Sequence, residues 1–151
     1  MINKREILES ELQELILAIQ ENMQLNGKVA SGTAHEGLLY EVTGDSNATL
    51  YGVTYMPALQ RGAKPSRFPR GFAQQIKVWA DHKGITDGMT QKEVIHFIHA
   101  TANKIFKYGT TQRRTNLYLD IYDTPLEDAA YSIADRLGDQ SVSTILTAFT
   151  L

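Results

Sequence analysis

A single apolar stripe governs the first 27 residues. Leu8, Leu12, Leu15, Ile16, Ile19 and Met23 recur every three to four positions, with Glu9, Glu11, Gln13, Glu14 and Gln20 mostly off that line. This is the period of an amphipathic helix, long enough that it must bury one face against other elements. Asn3 stands as N-cap with Glu6 at capping-box distance, and Ile2 and Ile7 take the two positions of a hydrophobic staple. Gly27 suits the left-handed position that ends such a helix.

The remaining elements are read from their punctuation. Residues 28–36 are small and polar and predict a loop or irregular edge. Leu38, Tyr40 and Val42 alternate with polar neighbours, Gly44-Asp45-Ser46-Asn47 is turn chemistry, and Thr49, Tyr51, Val53 and Tyr55 alternate beyond it, which predicts a β-hairpin. Residues 57–69 hold Pro57, Pro65, Pro69 and Gly62 and read as a Pro-rich basic loop. A helical pair follows. The first member carries Phe72, Ile76 and Trp79 and stops at Gly84. The second opens on the capping box Thr90-Gln91-Lys92-Glu93 and meets Gly109. Its broad stripe of Val94, Ile95, Phe97, Ile98, Ile105 and Phe106 predicts a helix lying across the core. Thr124-Pro125-Leu126-Glu127 starts a further helix closed by Gly138, residues 142–149 read as a closing strand, and residues 117–122 fit either a strand or a lead-in. The expectation is an α+β single domain over residues 1–151. It has a long N-terminal helix (1–27), a small antiparallel sheet including a β-hairpin, and a central helical pair.

Composition excludes several classes of function. At 151 residues the chain is the size of one ordinary domain, and it contains no cysteine, so disulfide scaffolds, thiolate metal sites and cysteine nucleophiles are ruled out. No apolar run approaches the roughly 20 residues that span a bilayer, and no unbroken apolar stretch follows Met1 as in a signal peptide. A soluble, intracellular product without membrane partners is expected.

Little in the sequence points to catalysis. His96 and His99 sit at i, i+3 with Glu93 one turn earlier, a spacing at which side chains share a helix face and can hold a divalent ion. The plainer account makes them polar positions beside an apolar stripe, and neither His35 nor His82 is marked as a third ligand. There is no nucleophile elbow, phosphate-binding glycine loop or HExxH run. Paired Glu127 and Asp128 suit the first turn of a helix, and Asp120 and Asp123 suit loop and cap positions. We expect no enzyme and no cofactor.

Charge is more informative in its distribution than in its total of -2. Between Tyr55 and Ala80 stand Arg61, Lys64, Arg67, Arg70 and Lys77 with no acidic residue among them. Lys104, Lys107, Arg113 and Arg114 form a second such group. Near the end, Asp120, Asp123, Glu127, Asp128, Asp135 and Asp139 face only Arg136. Basic and acidic faces of one monomer can simply pair or be solvated. Two functional readings compete with that. The loop 61–70 can contact nucleic-acid phosphates, as in a small monomeric nucleic-acid-binding module. Alternatively, basic and acidic surfaces of identical subunits can meet head to tail and close a ring.

The run Tyr55-Met56-Pro57-Ala58-Leu59-Gln60-Arg61-Gly62-Ala63-Lys64-Pro65-Ser66-Arg67-Phe68-Pro69 resembles bacteriophage neck and tail-completion proteins. In these, an aromatic strand end enters an (E/Q)-x-G-R-x-P loop. Ile76-Lys77-Val78-Trp79-Ala80 with Lys83-Gly84, then Tyr108-Gly109-Thr110, follow in the same order as in that family. The similarity covers about residues 29–115. It departs at Thr111-Gln112-Arg113-Arg114-Thr115, where the family often continues into an apolar element. The resemblance implies a structural virion protein of the head–tail region (neck, connector or tail completion), assembled as a homomeric ring around the DNA channel. Implied partners are further copies of itself, portal, neck or tail proteins, and packaged DNA touched non-specifically. The implied location is the head–tail junction or tail of the virion, reached from the host cytoplasm during assembly. Arg61, Lys64, Arg67 and Arg70 become a subunit-interface or lumen element.

Overall fold

The computed structural model describes residues 3–45, 47–66, 70–138 and 145–149. Helix α1 spans Lys4–Leu25. Asn3 Oδ1 accepts the Glu6 N–H at 3.4 Å, as the cap spacing predicts. At the other end Gly27 takes φ +63°, its N–H donates to Gln24 O, and the Lys28 N–H donates to Met23 O, the two bonds of a Schellman stop. Ile2, the other half of the expected staple, lies outside the described residues. Leu8, Leu12, Leu15, Ile19 and Met23 are buried along the stripe.

Glu11 departs from expectation. It is buried, and its Oε1 accepts from Ser132 Oγ at 2.8 Å and Arg136 Nη1 at 2.6 Å. Both partners come from a helix more than 120 residues further along, so an apolar pattern carries no trace of them. Burial of the carboxylate is tolerated because charge-assisted bonds replace its water.

Contacts gather the chain into two compact units, residues 1–56 with 120–151 and residues 57–119. In the first unit α1 packs against α7 (Asp123–Leu137) and the first strand of the hairpin. The short helix α2 (Thr33–Glu36) occupies part of the expected loop. A four-residue helix is too brief to leave a periodic signal. The hairpin joins β1 (Leu39–Thr43) to β2 (Asn47–Gly52), antiparallel, with Tyr40 opposite Leu50 and Val42 opposite Ala48. Ser46 of the turn lies outside the described residues. The face of β2 that turns inward carries Ala48 and Leu50 rather than Thr49 and Tyr51. The β-branched and aromatic positions mark strand propensity, whereas the cross-strand register decides burial. Strand β3 (Ile145–Phe149) adds to β2 in parallel, so the small sheet has the order β1-β2-β3 and only the hairpin is antiparallel. Residues 142–144 of the expected closing strand lie outside the described residues. The segment 117–122 is an irregular lead-in that bends at Ile121 and Tyr122, both buried, and pairs with no strand among the described residues.

Helix α7 starts one residue before the expected N-cap at Thr124. Tyr122 is its N-cap and makes no side-chain cap bond; Asp120 reaches the first turn from two residues earlier, its Oδ1 accepting the Thr124 N–H at 3.0 Å and its Oδ2 the Thr124 hydroxyl. The Thr124 hydroxyl and then its N–H hold the Asp120 carboxyl below its ordinary value. Gly138 closes the helix as predicted, with φ +60°.

The second unit begins inside α3 (Met56–Arg61), immediately after Met56. This helix stands where a loop is expected. Pro57 falls in its first turn, where no intrahelical donor is needed and the ring's fixed φ is already near helical. Helices α4 (Phe72–His82) and α5 (Gln91–Tyr108) pack as the predicted pair. Gly84 ends α4 with φ +67°, and its N–H donates to Asp81 O while the Ile85 N–H donates to Ala80 O. Both halves of the Thr90–Glu93 capping box are present at the start of α5. The expectation that α5 crosses the core is not met: Ile98 alone is buried. The short α6 (Thr111–Arg114) follows. The architecture is α+β, and among the described residues no helix is long and apolar enough to cross a membrane.

Candidate functional site

The basic segment is fastened to the residues after α5 by a polar clasp. Helix α3 ends when the Gly62 N–H donates to Ala58 O at 2.8 Å, and Gly62 then adopts φ +76°. The next residue is gripped from both sides. The Ala63 N–H donates to Thr110 Oγ1 and Ala63 O accepts the Thr110 N–H, each at 3.0 Å. Thr110 Oγ1 also accepts the Arg113 N–H at 3.4 Å, which caps α6. From α6, Gln112 Nε2 donates to Gln60 O at 2.7 Å and Leu59 O at 3.2 Å, satisfying carbonyls at the end of α3. The Leu119 N–H adds a 2.9 Å bond to Gln60 O.

Two glycines permit this approach. A Cβ on Gly62 would stand 2.5 Å from both Arg113 N and Thr110 Oγ1. A Cβ on Gly109 would stand 2.6 Å from Ala63 O. Gly109 also holds φ +78°, ψ -179°, a region that is essentially open to glycine alone. The motifs Gln60-Arg61-Gly62 and Gly109-Thr110, nearly 50 residues apart in sequence, are therefore one structural unit.

Above the clasp lies a shallow recess lined by Arg61, Arg113, Asn116, Leu117 and Tyr118. The Arg61 guanidinium sits 5.2 Å from the centroid of the Tyr118 ring, within cation–π range. Tyr118 and Leu117 are about half exposed. Asn116 has φ +57° because it ends α6 in the left-handed position, with the Leu117 N–H donating to Gln112 O at 3.0 Å. The recess thus brings Arg61 and Arg113 together with a half-exposed aromatic ring, residue types that suit phosphate or carboxylate with a planar group nearby.

Of the four basic residues expected at this site, Arg61 is built into it, while Lys64 and Arg70 stand exposed outside the recess. Arg67 lies outside the described residues. Lys77 is engaged with Asp81 at 2.6 Å. That interaction, and the Thr86 hydroxyl after it, hold the Asp81 carboxyl below its ordinary value. Tyr118, Gln112 and Thr110 are not legible in the sequence as site residues, because each acts through a partner some 50 residues earlier. The Gly-Thr dipeptide is the one local signal. His96 and His99 are both exposed on α5, and Glu93 is engaged by the Thr90 N–H and hydroxyl. Among the described residues no group of three metal-ligating side chains forms around them.

The division into units sharpens the charge pattern. Residues 57–119 carry 11 Lys and Arg against three Asp and Glu, a net +8. Residues 1–56 and 120–151 carry four against 14, a net -10. The near-neutral total conceals one strongly basic and one strongly acidic unit. Comparison with protein-family models, curated proteins and solved structures returns no match for this chain.

Proposed function

We propose that this chain is a non-enzymatic structural protein of the bacteriophage head–tail region, a neck, connector or tail-completion subunit that assembles as a homomeric ring around the DNA channel. The observation that carries this reading is the charge division, net +8 over residues 57–119 against -10 over the rest. Subunits so divided attract one another in a head-to-tail sense, and a heterologous contact repeated through a closing rotation makes a ring. The clasp supports the same reading. It fixes the base of the basic loop and leaves Lys64 and Arg70 exposed for a neighbour or for DNA. Portal, neck or tail proteins are the further partners of this reading, and the virion is the location.

Native mass spectrometry or mass photometry tests it. A particle of several subunits is expected at low salt, alone or on mixing with a portal or tail-tube protein, and it should weaken as salt screens the opposed charges. A chain that stays monomeric in every arm overturns the ring.

A second reading, a small monomeric nucleic-acid-binding module, is favoured by the Arg61–Tyr118 stack beside an open recess. It calls for tight, salt-dependent binding of DNA by the monomer. Neutralising Arg61, Lys64, Arg67 and Arg70 should then flatten the salt dependence, by roughly 0.7–0.9 in log–log slope for each phosphate no longer neutralised. Binding by the monomer that is indifferent to those four changes overturns this second reading.

A further inference from the structure

Helix α5 presents an apolar face that the isolated subunit does not cover. Ile95 and Phe106 are 51% and 48% exposed. With His99 and Ala102 they fall at i, i+4, i+7 and i+11, a straight stripe along a helix of 18 residues. Lys92 stands beside the stripe, two turns before His99. A stripe of this kind belongs against another surface.

Helix α1 carries a counterpart. Opposite its buried stripe, Glu14, Leu17, Glu21 and Leu25 share the solvent face, and the two leucines are 64% and 77% exposed. From Glu6 through Gly27 there is no Lys or Arg. Glu14 and Glu21 put two carboxylates, seven residues apart, on this face. Leu17 to Leu25 rises about 12 Å and Ile95 to Phe106 about 16 Å at 1.5 Å per residue, so the first fits within the second.

We infer that the occupant of the α5 face is the α1 face of a second copy of this chain. This inference rests on the ring reading and names its contact. The match is of two kinds: exposed apolar side chains on each face, and carboxylates on a unit of net -10 offered to a unit of net +8 that carries Lys92 beside its stripe. Because each copy carries one of each face, the contact is heterologous and propagates until it closes.

The test uses full-length protein with two surface variants, Leu17→Lys with Leu25→Lys, and Ile95→Asp with Phe106→Asp. All four positions are exposed, so circular dichroism and melting should match the unaltered chain. Each variant alone should be monomeric, its self-association weakened by ~100-fold or more, as expected when anchor residues are removed from an interface centre. Mixed one to one, the two variants should form a dimer and stop there, since the intact α5 face of the first meets the intact α1 face of the second and no free competent face remains. Variants that assemble as the unaltered chain does overturn this contact and leave the ring standing. A mixture that stays monomeric overturns the pairing of these two faces, and an unaltered chain that is monomeric throughout overturns the ring and this contact together.

Discussion

Fifteen of the eighteen buried apolar residues among the described positions belong to residues 1–56 and 120–151, whereas residues 57–119 bury only Ile76, Ala80 and Ile98. The two regions are therefore held by different means. The first has a continuous core in which α1, α7 and the hairpin enclose side chains such as Leu12, Ile19, Leu50 and Ile133, all fully buried. The second relies on helix caps, the Gly62–Thr110 clasp and the Gln112 bonds, and it leaves Trp79, Ile95, Phe106 and Tyr108 between 42% and 51% exposed. It is also the basic region. On the ring reading proposed above, the unit with little core and with open apolar and cationic surface is the one completed by another copy. A unit with a full core and a net negative charge can serve as the complement.

The sharpest contrast should appear when one apolar side chain is shortened in each region. Ile19→Ala opens a cavity in a fully enclosed site and should cost ~2–5 kcal/mol of unfolding free energy. Ile95→Ala removes a half-exposed side chain and should change the stability of the monomer by no more than ~0.5 kcal/mol. Urea denaturation of both variants at a concentration that keeps the chain monomeric reads the difference. Equal losses would mean that residues 57–119 hold a core comparable to that of the first region.

The second region should instead be sensitive at its glycines. In Gly109→Ala the new Cβ meets Ala63 O, and the backbone must abandon φ +78°, ψ -179° or carry the strain. A cost of ~2–3 kcal/mol is expected, from strain plus weakening of the Ala63–Thr110 bonds. Hydrogen exchange should show the loss in the amides of Ala63, Thr110 and Arg113, with the amides of α1 unchanged. Loss of protection spread evenly over both regions would break the distinction between core-held and clasp-held units.

How far the sequence discloses this follows from the range of each interaction. Features closed within one turn are mostly legible, the start of α7 at Asp123 rather than after Thr124 being the exception. The Asn3 and Thr90 caps, the Gly27, Gly84 and Gly138 stops and the hairpin turn all depend on neighbours a few residues away. What stays hidden depends on distant partners. Glu11 reads as a polar interruption until Ser132 and Arg136 are brought to it. Pro57 reads as a loop residue because composition does not distinguish a proline in a first helical turn from one in a loop. The stripe of α5 reads as core because sequence periodicity reports an apolar face without saying whether the fold buries it. At the site, the cations are visible in the composition, but the Tyr118 ring that stacks on Arg61 and the Gln112 amide that caps α3 both lie beyond α4 and α5 in the chain. The same reasoning explains the motifs. Gln60-Arg61-Gly62 and Gly109-Thr110 read as separate short signals and are the two halves of one clasp.

The smallest expected effect concerns pH and again separates the regions by their means of support. Glu93 Oε2 accepts the Thr90 N–H at 2.7 Å and the Thr90 hydroxyl at 2.8 Å. Those bonds, the backbone one first, hold its carboxyl below the ordinary value of 4.5. Asp81 is lowered in the same unit by Lys77 and Thr86. A carboxyl whose folded pKa is depressed lends stability that is present above its unfolded value and is lost as pH falls through the folded value. The start of α5 and the end of α4 should thus be indifferent to pH between about 5 and 7 and loosen below about 4, where carboxylates protonate. Both groups are exposed and shared with solvent, so the effect is modest beside the glycine and core substitutions. Amide exchange in the first turn of α5, followed from about pH 6 to about pH 3, reads it directly. Glu93→Gln should flatten that profile, and a first turn that loosens equally in the variant would show that the capping carboxylate is not its source.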